Sequence, residues 1–542
     1  MRSRARSFRA AAVVMSSGAC VLAACAGGGL PAAEPVMSSP ATPVVETVEG
    51  TGDDTVDPDV VTTTADPPDV FGGYTVHADE PTIRIDDRLL GTNIPAWLGP
   101  DLIEQDWFRE ALSSSGVTSV RMPGGSWSSV YGWSSCELGV DGCIWDGAIR
   151  PSDYGRLLVD TGLDGMWTVS VNETAQSAAA LVAFFNGAVG DDREIGVDRN
   201  GVDWGTVDTW AALRAQRGLA EPIGIGAWEI GNEVWGGRPD TGGSSCASFG
   251  WEEVWTCNGT EYVTGDAEHD GFVDIRAAMI AIDPTIDVGI VGVPDPSAWS
   301  DWGSQVIAAA AGGYDFYIIH EYAFGETPAA DAAARRSREL WPGVVELTRR
   351  SLPGDVPIAL TEFNLVSFEA GDTGAAMTQV MNAIFLTESI GDLASLGVEM
   401  ANHWNFANGV TESGTDYGLV DQATGDRYPT FAAMAAWGRA GRELVEVTHG
   451  SEIGASRLHA TRRDDGSYAL IVVHASDEEQ SVDIAFDGGG AVAAANAVAN
   501  VADSGEATAF DQVVPEIAVS EDHLTVTLGP WSITEIEVEI DD

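Results

Sequence analysis

Eight short apolar segments recur between residues 89 and 440, and most are separated by amphipathic or alanine-rich stretches. The segments are 89–94, 117–122, 165–171, 225–230, 286–292, 314–320, 356–361 and 397–404. Intervening runs such as 177–187 and 271–283 have the composition of helices. Because parallel strands need a crossover between them, usually a helix, eight such units predict a (β/α)8 barrel. A doubly wound open sheet is the alternative, but GTNIPAW at 91–97 lacks the glycine-rich nucleotide turn that it needs.

The chain changes character near residue 441. Four later segments alternate apolar and polar side chains, with turns between them: 468–476, 481–488, 523–529 and 532–540. This period predicts strands, and we expect a β-sandwich over 441–542. The catalytic barrel is placed at 74–440, with residues 74–88 as an alternative part of the sandwich because they alternate like strands. The expected fold class is therefore α/β, a TIM barrel with a C-terminal β-sandwich domain.

The N-terminus has the features of an export signal. Four arginines precede an apolar run that ends in LAAC, at Cys25. This pattern predicts a secretory signal peptide over 1–24. LAAC resembles the bacterial lipobox, which implies a lipid on the sulfur of Cys25; a plain signal peptide with an incidental cysteine is the alternative. Residues 25–73 are rich in Pro, Thr, Val, Ala, Gly and Asp without a sustained period, so we expect a flexible tether. The expected location is extracellular, as a bacterial cell-surface lipoprotein.

Charge and motif spacing exclude several classes of partner and cofactor. The formal net charge is −56 at neutral pH. Nucleic acids and anionic membrane surfaces repel such a chain, so we expect no nucleic acid, and membrane contact only through the lipid. HEYAF at 320–324 begins like the zinc motif HExxH but ends in Phe324. We therefore expect neither a metal nor another cofactor.

Four cysteines remain once Cys20 is removed with the signal peptide and Cys25 is assigned to lipid. They are Cys136, Cys143, Cys246 and Cys257. Three pairings are open, and we favour Cys136–Cys143 with Cys246–Cys257, which closes two short loops. A zinc site is the alternative, but neither pair has the tight CxxC spacing that such sites prefer.

Polar side chains follow the predicted strands where a barrel of this kind carries its functional groups. They are Arg121, Asn172, Asn232, Glu233, His320, Tyr322, Glu362, His403 and Trp404. Glu233 and Glu362 are the catalytic candidates, and we expect the other seven to bind the substrate. Glu233 follows the apolar strand of WEIGNEVWG, and Glu362 that of PIALTEFN. A charge at the end of a buried strand is costly unless it is paired or used.

Two glutamates across a barrel mouth suit glycoside hydrolysis with retention of configuration. One carboxylate attacks the anomeric carbon, while the other donates a proton to the leaving oxygen and later removes one from water. The two groups then lie about 5–5.5 Å apart. We expect Arg121 and Tyr322 to keep the nucleophile charged, and Asn232 to bind a sugar hydroxyl.

The motifs resemble the large clan of retaining (β/α)8 glycosidases, and within it the family 51 α-L-arabinofuranosidases. The similar stretches are RMPGGSWSSVYGW at 121–133, VSVNETAQSAAALVAFFNG at 169–187, WEIGNEVWG at 228–236 and HEYAF at 320–324. The resemblance implies that Glu233 is the acid/base, Glu362 the nucleophile and Tyr322 a partner of the nucleophile. It also implies an oligosaccharide or polysaccharide substrate.

Two departures from that family keep other substrates open. The family's Asp-Glu-Trp-Asn segment is Thr361-Glu362-Phe363-Asn364 here, and 91–97 lacks the acidic residue with which the family grips arabinose. Alternatives are an endo-glucanase, xylosidase, uronidase or algal-galactan hydrolase of the same clan. A non-catalytic carbohydrate-binding lipoprotein is an alternative of another class, and the presence of both glutamates favours an enzyme.

Aromatic residues accompany the cysteines in the loops predicted after strands two and four. They are Trp133, Trp145, Trp251 and Trp255. Their rings are candidates for stacking on sugar faces, and packing within their own loops is the alternative.

Overall fold

The computed structural model describes residues 73–80, 82–144, 147–237, 251–451, 453–488, 490–520 and 523–541. All of them belong to one compact unit, Pro67–Asp542. The predicted signal peptide, the tether apart from Gly73, Cys25, Trp145 and Cys246 lie outside the described residues. Within the described part, no helix combines the length and the apolar character that a membrane span requires.

The strands up to residue 421 include the eight segments predicted from the sequence. They are β1 Tyr74–His77, β2 Ile83–Arg84, β3 Gly91–Asn93, β4 Ser119–Met122, β5 Asp164–Val169, β6 Ala227–Ile230, β7 Asp287–Val291, β8 Phe316–Phe324, β9 Ile358–Val366, β10 Met400–His403, β11 Ala407–Asn408 and β12 Val420–Asp421. Strands β3 to β10 close into a parallel barrel in the order β10-β3-β4-β5-β6-β7-β8-β9. The predicted fold class is confirmed.

Helices cover the outside of this ring, as expected for strands that are buried on both faces. They are α1 Pro100–Ile103, α2 Asp106–Ser114, α3 Trp133–Leu138, α4 Pro151–Thr161, α5 Ala175–Asn186, α6 Val207–Gln216, α7 Gly259–Thr264, α8 Phe272–Ile282, α9 Ala298–Ala310, α10 Ala330–Ser351, α11 Val380–Ser395 and α12 Pro429–Arg439. α5 begins at a cap in which the Thr174 side chain accepts from the Ser177 N–H. Ten of its twelve residues are buried, which accounts for its alanine-rich sequence.

The remaining strands form the predicted sandwich. They are β13 Glu443–Val445, β14 Val447–His449, β15 Ser456–Arg462, β16 Tyr468–His474, β17 Gln480–Asp487, β18 Ala491–Val501, β19 Asp511–Val513, β20 Ile517–Val519, β21 His523–Leu528 and β22 Ser532–Asp541. One sheet has the order β14-β1-β17-β21-β20, and the other β19-β18-β22-β16-β15-β13-β2. β1 and β2 thus place residues from 74–88 in the two sheets of the sandwich rather than in the barrel ring.

A buried ion-pair cluster joins the sandwich to the barrel. Arg457 of β15 donates to Glu388 at 2.6 Å and to Asp392 at 2.9 Å, and both acids lie on α11. His459 packs so closely on α11 that a Cβ on Gly391 would lie 2.2 Å from its ring. Glycine is therefore required there by close approach, and the two domains pack without a gap at this point.

The disulfide between Cys136 and Cys143 is confirmed, with the Cα atoms 4.5 Å apart. It closes the loop that follows barrel strand β4. The second predicted pairing cannot be placed, because Cys246 lies outside the described residues.

Candidate active site

Glu233 is positioned by a sharp turn at the end of β6. Gly231 has φ +92°, and a Cβ there would lie 2.5 Å from the Val234 side chain. Glu233 itself adopts left-handed angles, φ 38° and ψ 40°. A side chain in that region costs about 1–2 kcal/mol, and such strain clusters at functional sites. The turn brings Asn232 against Arg121, and Glu233 against His320.

Glu362 lies on β9, where it pairs in register with His320 of β8. The register of β8 shifts between Ile319 and His320, and a bulge of this kind changes the direction of the side chains that follow. After it, His320 and Tyr322 share one face and both approach Glu362. Tyr322 Oη donates to Glu362 Oε2 at 3.1 Å. Glu362 is 5% exposed.

His320 lies between the two glutamates. Its Nδ1 is 3.0 Å from Glu233 Oε1 and 3.7 Å from Glu362 Oε2. Its Nε2 is 2.9 Å from Thr361 Oγ1. One oxygen of each glutamate and one ring nitrogen all lie within 4.8 Å of one another. Burial lowers the pKa of His320, but the charge of Glu362 and the contact with Glu233 outweigh it, so the pKa lies above its usual value.

Arg121 anchors this arrangement from β4, with no exposed surface. Its Nη1 donates to Glu362 Oε1 at 2.8 Å and to Asn93 Oδ1 at 2.9 Å. Its Nη2 donates to Asn232 Oδ1 at 2.7 Å, and its Nε to Glu229 Oε1. Burial lowers the pKa of Arg121, yet the charges of Glu229 and Glu362 raise it above the usual value overall. The guanidinium is thus fixed and positively charged.

The pKa of Glu362 is raised above its ordinary value. Burial is the largest cause; His320 and Arg121 oppose it, and the charge of Glu233 adds to it. The expected contacts from Arg121 and Tyr322 are present, but they limit the rise rather than reverse it. The charge of the nearby Glu233 carboxylate thus disfavours the ionised form of Glu362.

Two buried glutamates that the sequence analysis overlooked complete the site. Glu229 lies inside β6, where its Oε1 also accepts from Thr168 Oγ1 at 2.6 Å. A charged residue within an apolar parallel strand demands a partner, and this signal could have identified it. Glu252 accepts from Asn232 Nδ2 at 2.9 Å and from the hydroxyls of Ser126 and Ser129.

The pKa of Glu252 lies well above the usual range of a carboxyl group. Burial, reinforced by the charge of Glu233, raises its pKa to about 8, although its three hydrogen bonds lower it. Its position in the loop after β6 gives no period or motif by which sequence reading could have found it. Trp251, the residue before it, donates from Nε1 to Glu233 Oε2 at 2.5 Å. The loop therefore contacts both the acid/base candidate and Asn232.

Three of the sequence-predicted binding residues have other surroundings than expected. Asn172 uses its amide to tie loops together: Nδ2 donates to Ser129 O and Glu253 O, and Oδ1 accepts from Trp255 N. Asn232 is 1% exposed, with both ends of its amide engaged. His403 is fully buried, and burial lowers its pKa to about 3, so it is a neutral core histidine and not a surface that a sugar could contact.

Aromatic side chains form two clusters at the barrel mouth. Trp235, Trp251 and Trp299 have ring centroids 4.4–5.6 Å apart, and Phe368, 61% exposed, approaches Trp251. Trp404 packs 5.8 Å from Trp97, which also contacts Trp127. The other loop tryptophans serve packing: Trp133 lies 1% exposed among Trp204, Trp210 and Phe184, and Trp255 stacks on His269.

Distance alone would also allow Glu233, His320 and Glu362 to surround a cation. The electrostatics disfavour it. The positive charge of Arg121 lies 2.8 Å from Glu362 and would repel a dication there, and His320 has hydrogen-bond partners at both ring nitrogens. The arrangement is better suited to proton transfer than to a dication.

Comparisons with known proteins agree with this fold. No family model matches the sequence. The α-L-arabinofuranosidase C of Emericella nidulans is 23% identical over 291 residues, 46% of this chain and 48% of that protein. A probable α-L-arabinofuranosidase C of Aspergillus fumigatus is 23% identical over 346 residues, 55% of this chain and 56% of the relative. The chain thus spans about half the length of the curated relatives it matches.

Solved structures match over most of the chain. The α-L-arabinofuranosidase of Thermotoga maritima, solved with arabinose, aligns with a TM-score of 0.66 and 18% identity, covering 87% of this chain and 100% of that one. The family 51 enzyme of Thermotoga petrophila aligns with a TM-score of 0.67 and 18% identity over 86% of this chain and 100% of that one. A Paenibacillus polymyxa xyloglucanase of family 44 aligns with a TM-score of 0.58 and 14% identity over 86% and 99%. The resemblance predicted from the motifs is confirmed at the level of the fold.

Proposed function

We propose that this chain is a retaining glycoside hydrolase similar to α-L-arabinofuranosidases, with Glu233 as acid/base and Glu362 as nucleophile. The observation that carries the proposal is the approach of the two carboxyl groups, with an oxygen of each within 4.8 Å. Retaining enzymes hold these groups about 5–5.5 Å apart, whereas inverting enzymes leave about 6.5–9.5 Å for a water molecule. The spacing therefore supports retention.

The two glutamates have different contacts, which suit different roles in the reaction. Glu362 accepts from Arg121 and Tyr322, two donors that favour its ionised form. Glu233 Oε1 lies 3.0 Å from His320 Nδ1, and the other ring nitrogen of His320 lies 2.9 Å from Thr361 Oγ1. Retaining hydrolysis requires the proton on Glu233 in the reactive form.

Two steps complete the reaction. Glu362 Oε attacks the anomeric carbon while Glu233 gives its proton to the leaving oxygen, which yields a glycosyl ester and a free alcohol. Glu233, now ionised, takes a proton from water as the water oxygen attacks the same carbon and releases Glu362. Both glutamates return to their starting protonation states.

The product's configuration and a substrate screen test the proposal. We expect hydrolysis of an aryl α-L-arabinofuranoside, with proton NMR showing the α-anomer as the first product. Release of the inverted anomer would refute the retaining mechanism. Failure of every aryl glycoside and polysaccharide in the screen would revive the binding-protein alternative.

A second candidate is endo-action on a polysaccharide. Trp251 donates to Glu233, and the aromatic cluster to which it belongs ends in the exposed ring of Phe368. Aromatic rings placed outward from a cleft suit a chain of sugars better than one terminal residue. Viscosity of a xyloglucan solution that falls well ahead of reducing-end release would favour this candidate.

We also propose that the protein is exported and anchored through Cys25, on the basis of the basic and apolar N-terminal pattern ending in LAAC. Labelled palmitate incorporated into the wild type but not into Cys25→Ala would support the anchor. Equal labelling of both would contradict it.

A further inference from the structure

The Arg121 guanidinium lies between two buried carboxylates. Its Nη1 donates to Glu362 at 2.8 Å, and its Nε donates to Glu229 on the opposite side. Glu229 has no exposed surface, and its Oε2 has no hydrogen-bond partner among the described residues. A buried charge of this kind is costly, and Arg121 with Thr168 provides its compensation.

We infer that Glu229 is a positioning residue that acts through Arg121. Because Glu229 shares the guanidinium, the ion pair between Arg121 and Glu362 is weaker, and Glu362 keeps its nucleophilicity. This inference rests on the proposed function, because it assigns a role relative to the nucleophile. Glu229 itself does not touch the reacting atoms.

The physical reason is the charge balance around Arg121. A guanidinium that paired with Glu362 alone would form a tight ion pair with it. Such a pair lowers the pKa of a carboxyl group by about 1–3. A second carboxylate on the same guanidinium offsets part of that attraction. The second carboxylate also fixes the orientation of the guanidinium group. With Glu229 on Nε, the Nη1 and Nη2 atoms face Glu362, Asn93 and Asn232.

The other ionisable groups near Glu362 act from different elements. They are Glu233 after β6, His320 and Tyr322 on β8, Tyr262 on α7 near Glu229, and Glu252 in the loop after β6. Among these, Glu252 offers a matched control. It is buried and linked to Arg121 through Asn232, as Glu229 is linked directly. Burial raises its pKa to about 8, above the acidic range in which the nucleophile titrates, so Glu252→Gln removes little charge there.

The test compares Glu229→Gln with Glu252→Gln, two isosteric changes in one network. The readout is the pH profile of kcat/KM for an aryl glycoside. Its acidic limb, where kcat/KM falls as the pH is lowered, reports protonation of the nucleophile in the free enzyme. Without the charge of Glu229, Arg121 pairs with Glu362 alone. The pKa of Glu362 then falls, and Glu362 stays ionised to lower pH. We expect the acidic limb to move down by about one pH unit in Glu229→Gln. We expect it to stay in place in Glu252→Gln.

An unmoved limb in a folded Glu229→Gln would overturn the inference, as would an equal shift in Glu252→Gln. If Glu229→Gln fails to fold, carbon-13 NMR of the wild-type side-chain carboxyls decides. Glu229 must then remain an ionised carboxylate over the pH range in which Glu362 titrates in the same spectra, and a protonated Glu229 there overturns the role. This measurement needs no substrate, so it separates failure of the inference from failure of the proposed hydrolase activity.

Discussion

Replacing Tyr322 by Phe removes one hydrogen bond to the proposed nucleophile with little change in shape. Tyr322 Oη donates to Glu362 Oε2 at 3.1 Å, and Glu362 is nearly buried. A hydrogen bond to a charged group contributes about 1.5–3 kcal/mol. Each pH unit of pKa shift corresponds to about 1.4 kcal/mol. Because Arg121 continues to stabilise the anion, we expect the lower end, about one pH unit.

The direction of the pKa shift depends on which protonation state of Glu362 loses a hydrogen-bond donor. The hydroxyl stabilises ionised Glu362, so its loss raises the pKa of this carboxyl further, and the anion disappears at a higher pH. The acidic limb of kcat/KM for an aryl glycoside is therefore expected to move up, opposite to the shift expected for Glu229→Gln. A limb that stays in place or moves down in a folded Tyr322→Phe would refute this account of the nucleophile's environment.

Further predictions concern the acid/base, the domain junction and metals. Glu233→Ala should spare aryl glycosides with good leaving groups and impair those with poor ones, because only the latter need protonation; uniform loss would argue against the role. Gly391→Ala should lower the free energy of unfolding by about 1–3 kcal/mol, since its Cβ would overlap His459, whereas Gly343→Ala in α10, where nothing lies within 4 Å, should not destabilise the protein in denaturant titrations. Dialysis against a chelator should leave kcat unchanged, and activity that returns with added metal would contradict proton-transfer chemistry without a cation.

The barrel could be predicted from sequence because its strands are short apolar runs at a regular spacing. Parallel strands buried on both faces need such runs: β9 is buried at all nine positions. Strand β18 shows the limit of this reading. Its sequence, AVAAANAVANV, is rich in alanine, which favours helix, yet it pairs with β22 along most of its length. Tertiary pairing outweighs local propensity there.

The candidate site was predictable in part for a similar reason. Glu233 follows β6, Arg121 lies near the end of β4, and His320, Tyr322 and Glu362 lie in the C-terminal halves of β8 and β9, so the barrel topology brings them together. Burial decides the rest, and strand position does not report it. His403 occupies a strand end like the others, but its ring packs against Phe363 in the core. Glu252 reaches the site from a long loop, whose path the sequence does not specify.

Trapping the covalent intermediate tests the central claim most directly. A 2-deoxy-2-fluoro glycoside with an activated leaving group, of the sugar that the wild type turns over, slows hydrolysis of the glycosyl–enzyme. Digestion and mass spectrometry then locate the modified residue. We predict one sugar per chain, attached to Glu362. Attachment to Glu233, Glu229 or Glu252, or turnover of the substrate with no glycosyl–enzyme formed, would contradict the assignment.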